Sequence, residues 1–206
     1  MPLELSAEGL AVERGGRLLF EGLSFTLEAG QALLLKGPNG TGKTSLLRVL
    51  AGFLRPITGR VSLTGGQDAR SLAEHCHWVG HANAVKPALT VEENAAFWAT
   101  YLGASGDTRA SLAVALDRFG LTELAHIPAG YLSAGQKRRL GLARLLLVPR
   151  PIWLLDEPTV SLDADSTATL AGVIEAHLAN GGLAIAATHL PLGLASAREL
   201  QLSSMT

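Results

Sequence analysis

The chain has 206 residues, a formal net charge of −1 and one cysteine. Hydrophobic residues make up 48% and charged ones 17%, which fits a globular core and excludes a disordered chain. The near-zero charge gives no field to gather nucleic acid, and a lone cysteine excludes an internal disulfide. The N-terminus lacks a signal-peptide pattern, and no run reaches the ~20 apolar residues of a membrane helix. If the chain works at a membrane, another chain does the spanning.

The length allows one compact domain, with strand-like and helical patterns in alternation. LSFTL (23–27) and ALLLK (32–36) predict strands, and SLLRVLAGF (45–53) a helix. GRVSLTGG (59–66) predicts a strand closed by a Gly-Gly turn. Thr90 with Glu93 forms a capping box that opens a helix from Val91 to about Leu102. After the loop GASGD (103–107), residues 109–120 predict a helix ended by glycine. Ser133 and Gln136 form a second capping box, with a helix through about Val148. IWLLD (152–156) and LAIAAT (183–188) are continuous apolar strands, and residues 164–182 between them a helix. The alternation predicts a mainly parallel α/β sheet with helices on both faces. The stretch from about 91 to 139 has no strand of its own and predicts a helical lobe.

GPNGTGKT (37–44) sits between the strand ALLLK and the helix SLLRVL, the context that makes this pattern a phosphate site. Its glycines let backbone N–H groups turn inward around anionic oxygens. Gly37, Pro38, Asn39, Gly40, Thr41, Gly42, Lys43, Thr44 and Ser45 are the expected nucleotide-binding run. Lys43 offers a point charge to the β and γ phosphates, and Thr44 a hydroxyl to Mg²⁺. PIWLLDEP (151–158) ends a buried strand in two acids. Asp156 is suited to hold Mg²⁺, and Glu157 to orient or deprotonate a water that attacks the γ-phosphate.

With LSAGQKRR (132–139), SLD (161–163) and TH (188–189), these motifs resemble the ATP-binding-cassette ATPases, in the same order and over essentially the whole chain. The resemblance implies a P-loop NTPase (RecA-like) fold. Its mainly parallel core carries a small antiparallel β portion and an inserted helical lobe. One domain spans 1–206, with 1–82 and 140–206 as nucleotide-binding core and about 83–139 as the lobe. It also implies a homodimer formed on ATP binding, with each nucleotide between one copy's phosphate loop and the other's signature. Ser133, Ala134, Gly135 and Gln136 would then face the partner's ATP, Asp163 would cross the interface, and His189 would contact the γ-phosphate. Where family members stack adenine on an aromatic residue, this chain has Arg14, whose guanidinium can also stack on a base.

HCHWVGH (75–81) holds three of the six histidines and the only cysteine. His75 and His77 share one face of a strand and Cys76 the other, so the expectation is an edge strand without a metal centre. The family's coupling-loop glutamine is replaced by Ala82, with His81 or Asn83 as candidates for its work. WVGHANAVKPALTVEEN, LFEGLSFTLEAGQ and THLPL (188–192) narrow the resemblance to the ATPase subunits of bacterial haem exporters of cytochrome c maturation. That implies a peripheral protein on the cytoplasmic face of the inner membrane. It would dock on integral membrane subunits and use ATP to drive release of a haem-loaded periplasmic chaperone. The alternatives are an ATPase subunit exporting lipid or peptide, and a nucleotide-binding regulatory module with little turnover. Docking is expected on the helical lobe and beside residues 82–90, with Val85 and Leu89 in reach. Phe97 and Trp98 are read first as core of the lobe, and Lys137-Arg138-Arg139 as a solvated face.

Overall fold

Strand β3 (Ala32–Lys36) sets the architecture, because its apolar residues are buried on both faces. The computed structural model describes residues 2–65, 71–194 and 196–203. β3 lies in a five-stranded parallel sheet with β5 (Cys76–Val79), β6 (Ile152–Asp156), β7 (Leu183–Ala187) and β8 (Arg198–Gln201), in the order β5-β6-β7-β3-β8. A second, antiparallel sheet has the order β2-β1-β4, from β1 (Glu4–Arg14), β2 (Arg17–Glu28) and β4 (Thr58–Thr64). Five α-helices complete the described chain: α1 (Lys43–Leu50), α2 (Val91–Tyr101), α3 (Arg109–Arg118), α4 (Ala134–Ala143) and α5 (Ala164–Ala179).

The period of two divides the parallel strands between two apolar clusters. Leu33, Leu35, Ile152, Leu154 and Ile185 pack with α1 and the antiparallel sheet. Leu34, Trp153, Leu155 and Ala186 pack with residues of α2 to α5 on the opposite face. The mouth of the sheet, beyond the carboxyl ends of β3, β6 and β7, is therefore lined by loops held from both sides.

Two strands are absent from the sequence reading. β1 pairs with two partners, yet its inward positions change phase, from Leu5 and Ala7 to Leu10 and Val12. The register shifts between Ala7 and Leu10, where Gly9 turns to φ 59° and donates to Ser24 Oγ at 2.8 Å. That bulge erases the alternation. β8 is short and polar, and β3 is the neighbour that orders it.

Other boundaries move for local reasons. The hairpin strand expected at 23–27 extends to Arg17–Glu28. α1 begins two residues earlier than expected, at Lys43, and ends at Leu50. α4 ends at Ala143 and tightens into a 3₁₀ turn at Arg144–Leu146, short of Val148, where the approach to Pro149 disfavours helix. α5 stops at Ala179, before Gly181 takes φ 81°. Gly66 of the expected Gly-Gly turn lies outside the described residues. Both capping boxes form: Glu93 N donates to Thr90 Oγ1 at 3.1 Å, and Gln136 N to Ser133 Oγ at 3.2 Å.

Candidate functional site

The loop after β3 turns on three glycines with positive φ: Gly37 at 134°, Gly40 at 83° and Gly42 at 99°. A Cβ on Gly37 would sit on the Leu202 carbonyl, and one on Gly42 would lie 2.9 Å from the Phe20 ring. Only glycine fits this path. It delivers Lys43 to the first turn of α1, where its Nζ donates to Gly37 O at 2.6 Å and Pro38 O at 2.9 Å. Thr41 Oγ1 closes the loop on Pro38 O at 3.0 Å. The ammonium is thus held inside the curve of the loop.

β6 brings Asp156 to the same mouth. Thr44 Oγ1 donates to its carboxylate oxygens at 2.9 and 3.1 Å. A hydroxyl and a carboxylate in contact, both oxygen donors, are a fitting set for a hard divalent cation. Glu157 follows at φ 48°, a left-handed conformation that costs a non-glycine residue strain. Its amide donates to Ala187 O at 2.8 Å. Its carboxylate lies 3.5 Å from His189 Nε2, and the same nitrogen donates to Asn39 Oδ1 at 2.9 Å. Both facing groups accept, so the Nε2 tautomer carries the proton. Glu157, His189 and Asn39 form one chain of contacts across the mouth.

These groups open on a cleft of about 330 Å³ lined by Arg14, Leu19, Asn39, Gly40, Gly42, Lys43, Thr44, Ser45, Asp156 and Glu157. Arg14 reaches it from the end of β1, as does Leu19 from β2, which the motif reading did not include. No local pattern marks Leu19; the fold of the hairpin over the loop brings it there. Ser133, Ala134, Gly135 and Gln136 are elsewhere, at the start of α4, with Ser133 and Ala134 exposed. Asp163 is exposed as well and caps α5 through Ser166 N at 2.8 Å; hydrogen bonding from the Ser166 hydroxyl, and then from its amide, holds the carboxyl below the usual range.

Arg138 is not on a solvated face: it is 2% exposed. It lies one helical turn beyond Ala134 on the face of α4 that meets the sheet, a period the charge run disguises. Its guanidinium donates to the carbonyls of Gly80, Asp156, Glu157 and Pro158 and to Asn83 Oδ1, at 2.7 to 3.3 Å. Burial lowers its pKa, and the charges of Asp156 and Glu157 raise it. Asn83 is therefore engaged with Arg138. His81 and Ala82 instead line a groove of about 830 Å³ that reaches Thr44 and Asp156 at one end and Trp98 and Tyr101 at the other.

Phe97 is 38% exposed and is not core of the lobe; it lies under the Lys86 ammonium at 4.5 Å. Trp98 is half-buried and donates to Ala84 O at 3.0 Å. In the histidine window, His77 bonds Val148 O at 2.7 Å, and burial pushes its pKa down to about 3. Burial pushes the Cys76 thiol up to about 12. Among the described residues, no group of three His, Cys, Asp or Glu is placed to hold a metal ion.

A parallel sheet with a glycine-rich loop, a lysine in its curve and Thr44 of α1 paired with Asp156 at the end of β6 defines a P-loop nucleotide-binding ATPase. The family model for ABC transporters matches residues 20–160. Proteins called cytochrome c biogenesis ATP-binding export protein CcmA match along their full length. The one from Nitrobacter winogradskyi is 53% identical, covering 97% of this chain and 98% of that protein. Those from Nitrobacter hamburgensis and Rhizobium meliloti are 52% and 50% identical, covering 99% and 98% of this chain, and 100% and 98% of their own. A solved Pyrococcus furiosus protein, described as an ABC transporter ATP-binding protein, superposes with a TM-score of 0.83 at 25% identity, covering 98% of this chain and all of that one. The chain belongs to the ABC transporter family, in its branch of CcmA proteins. It is an ATP-binding ATPase subunit of an ABC transporter, and among the described residues no helix is long and apolar enough to cross a membrane.

Proposed function

We propose that the chain is the ATP-hydrolysing subunit of an exporter in cytochrome c biogenesis, acting from the cytoplasmic face of the inner membrane on integral membrane partners. The observation that carries this reading is the single mouth shared by Lys43, the Thr44–Asp156 pair and the Glu157–His189–Asn39 chain, in a protein about half identical to CcmA over its length. Lys43 leaves two loop carbonyls for the β and γ phosphates. Thr44 and Asp156 would hold Mg²⁺, which would supply charge neutralisation for the phosphates. Glu157 takes a proton from water, or orients it, toward the γ-phosphate, and His189 holds the geometry from the other side. Arg14 lies against the base.

The exposed N-terminus of α4, with Ser133 as its cap, offers its positive end to the ATP of a second copy, so two chains close around two nucleotides. The groove of about 830 Å³ between Phe53, Trp78 and Tyr101 receives the membrane subunits. The chain's ATP cycle drives release of the haem-loaded periplasmic chaperone, and haem itself is handled by the membrane subunits and the chaperone.

Two variants test this. Glu157→Gln is expected to abolish turnover and trap an ATP-bound dimer. Lys43→Ala as the only cellular copy is expected to abolish covalent haem on c-type cytochromes while haem synthesis continues. Persistent covalent haem beside a stable Lys43→Ala protein means a different cargo; full turnover by Glu157→Gln removes Glu157 from its role.

A further inference from the structure

Arg138 carries more bonds than a structural arginine in a helix needs. Its acceptors fall into two sets. Gly80 O at 2.9 Å and Asn83 Oδ1 at 3.1 Å belong to the end of β5 and the loop beyond it. Asp156 O at 3.3 Å, Glu157 O at 2.7 Å and Pro158 O at 3.0 Å belong to the turn that presents the acidic pair. We propose that Arg138 is the positioning residue that fixes Glu157 and makes its setting depend on the loop from Gly80 to Ala84. This rests on the reading of Glu157 as the group that acts on water.

Glu157 holds a left-handed backbone, which persists only while its surroundings over-determine it. Its amide is fixed by Ala187 O, and its carbonyl accepts from Arg138 and, at 3.3 Å, from Val160 N. The shorter of the two bonds at the carbonyl is the charged one. A guanidinium is a rigid planar fork, so it serves both acceptor sets only at one separation between them. The loop set is anchored on one side by α4 itself, since a Cβ on Gly141 would come within 3.1 Å of Asn83 O. Its other side faces the groove: His81, Ala82 and Ala84 line it, and Ala84 takes φ 54°. A partner seated in that groove displaces the loop, the fork loses one set, and the Glu157 turn relaxes. The chain has no glutamine at Ala82 to carry such a signal through the metal site. Here the signal passes behind the acidic pair, along the backbone.

The test measures ATP turnover of the full chain assembled with its membrane subunits, with thermal midpoints taken alongside. Arg138→Gln is expected to lower kcat by about tenfold or more, since displacement of a catalytic group by a fraction of its contact distance is costly, while KM for ATP stays within about twofold. Asn83→Ala is expected to lower kcat several-fold. The double variant is expected to lose no more than Arg138→Gln alone, because both cut one path. A folded Arg138→Gln chain with wild-type kcat overturns the proposal, as do losses that multiply in the double variant. If Arg138→Gln lowers the midpoint so far that it does not fold, Asn83→Ala decides: it removes one half-buried amide, and an unchanged kcat overturns the link. Glu157→Gln separates the two readings. If it keeps turnover, the role of Glu157 fails; if it is inactive while Arg138→Gln is fully active, only the role of Arg138 fails.

Discussion

His77 ties the protein's stability to pH. Its ring is 2% exposed and bonded to Val148 O, and burial, with the nearby arginine charges, holds its pKa at about 3 against an ordinary 6.5. Unfolded, the same ring titrates near 6.5. The folded state therefore binds fewer protons between these values. The stability contribution is intact above pH 6.5 and is lost progressively as pH falls toward 3. At pH 5 the unfolded ring is almost fully protonated and the folded ring almost not at all. Between pH 7 and pH 5 the loss from this residue comes to about 2 kcal/mol. Urea unfolding of the wild type and of His77→Gln at pH 7, 6 and 5 measures it. The substitution lowers stability by a constant offset through lost packing, but the wild type falls about 2 kcal/mol further across the range. Parallel lines for the two proteins would show that the ring takes up its proton when folded, and the argument from burial would be wrong.

Three further outcomes follow from the site. Gly42→Ala forces a side chain onto φ 99° and against Phe20, so unfolding free energy should drop by about 2–4 kcal/mol; a loss under 0.5 kcal/mol refutes the strain. Lys43→Ala should weaken ATP binding at least tenfold, about the worth of one hydrogen bond to a charged group, in a titration with a fluorescent ATP analogue; equal affinity refutes the role of the ammonium. Cys76, buried and pushed up to about 12, should resist iodoacetamide at pH 8 in the folded chain and react within minutes in urea. Rapid alkylation of the folded protein would place the thiol at the surface.

The likeness to the solved Pyrococcus furiosus protein extends over 98% of the chain. The resemblance read from the motifs implies an aromatic ring where Arg14 stands and a glutamine where Ala82 stands. Arg14 lines the cleft beside the glycine loop, while Ala82 lines the groove of about 830 Å³ and carries only a methyl group. The buried Arg138 then becomes the connection between groove and acidic turn.

The features legible in the sequence rest on interactions within a few residues. The glycine path of 37–44 before a helix, the caps at Thr90 and Ser133, and the apolar strand ending at Asp156 are all local rules, and each element began within a turn of where it was expected. The remaining features depend on contacts across distant segments. The bulge at Gly9 moved the apolar phase of β1, and β8 is set by its pairing with β3 and by Arg198 reaching Thr26 O at 2.8 Å. Arg138 and Phe97 exchanged the places their chemistry suggests, charge inside and ring outside. A charge is buried when enough carbonyls converge on it, and those from Gly80, Asp156, Glu157 and Pro158 converge only after β5, β6 and α4 have packed.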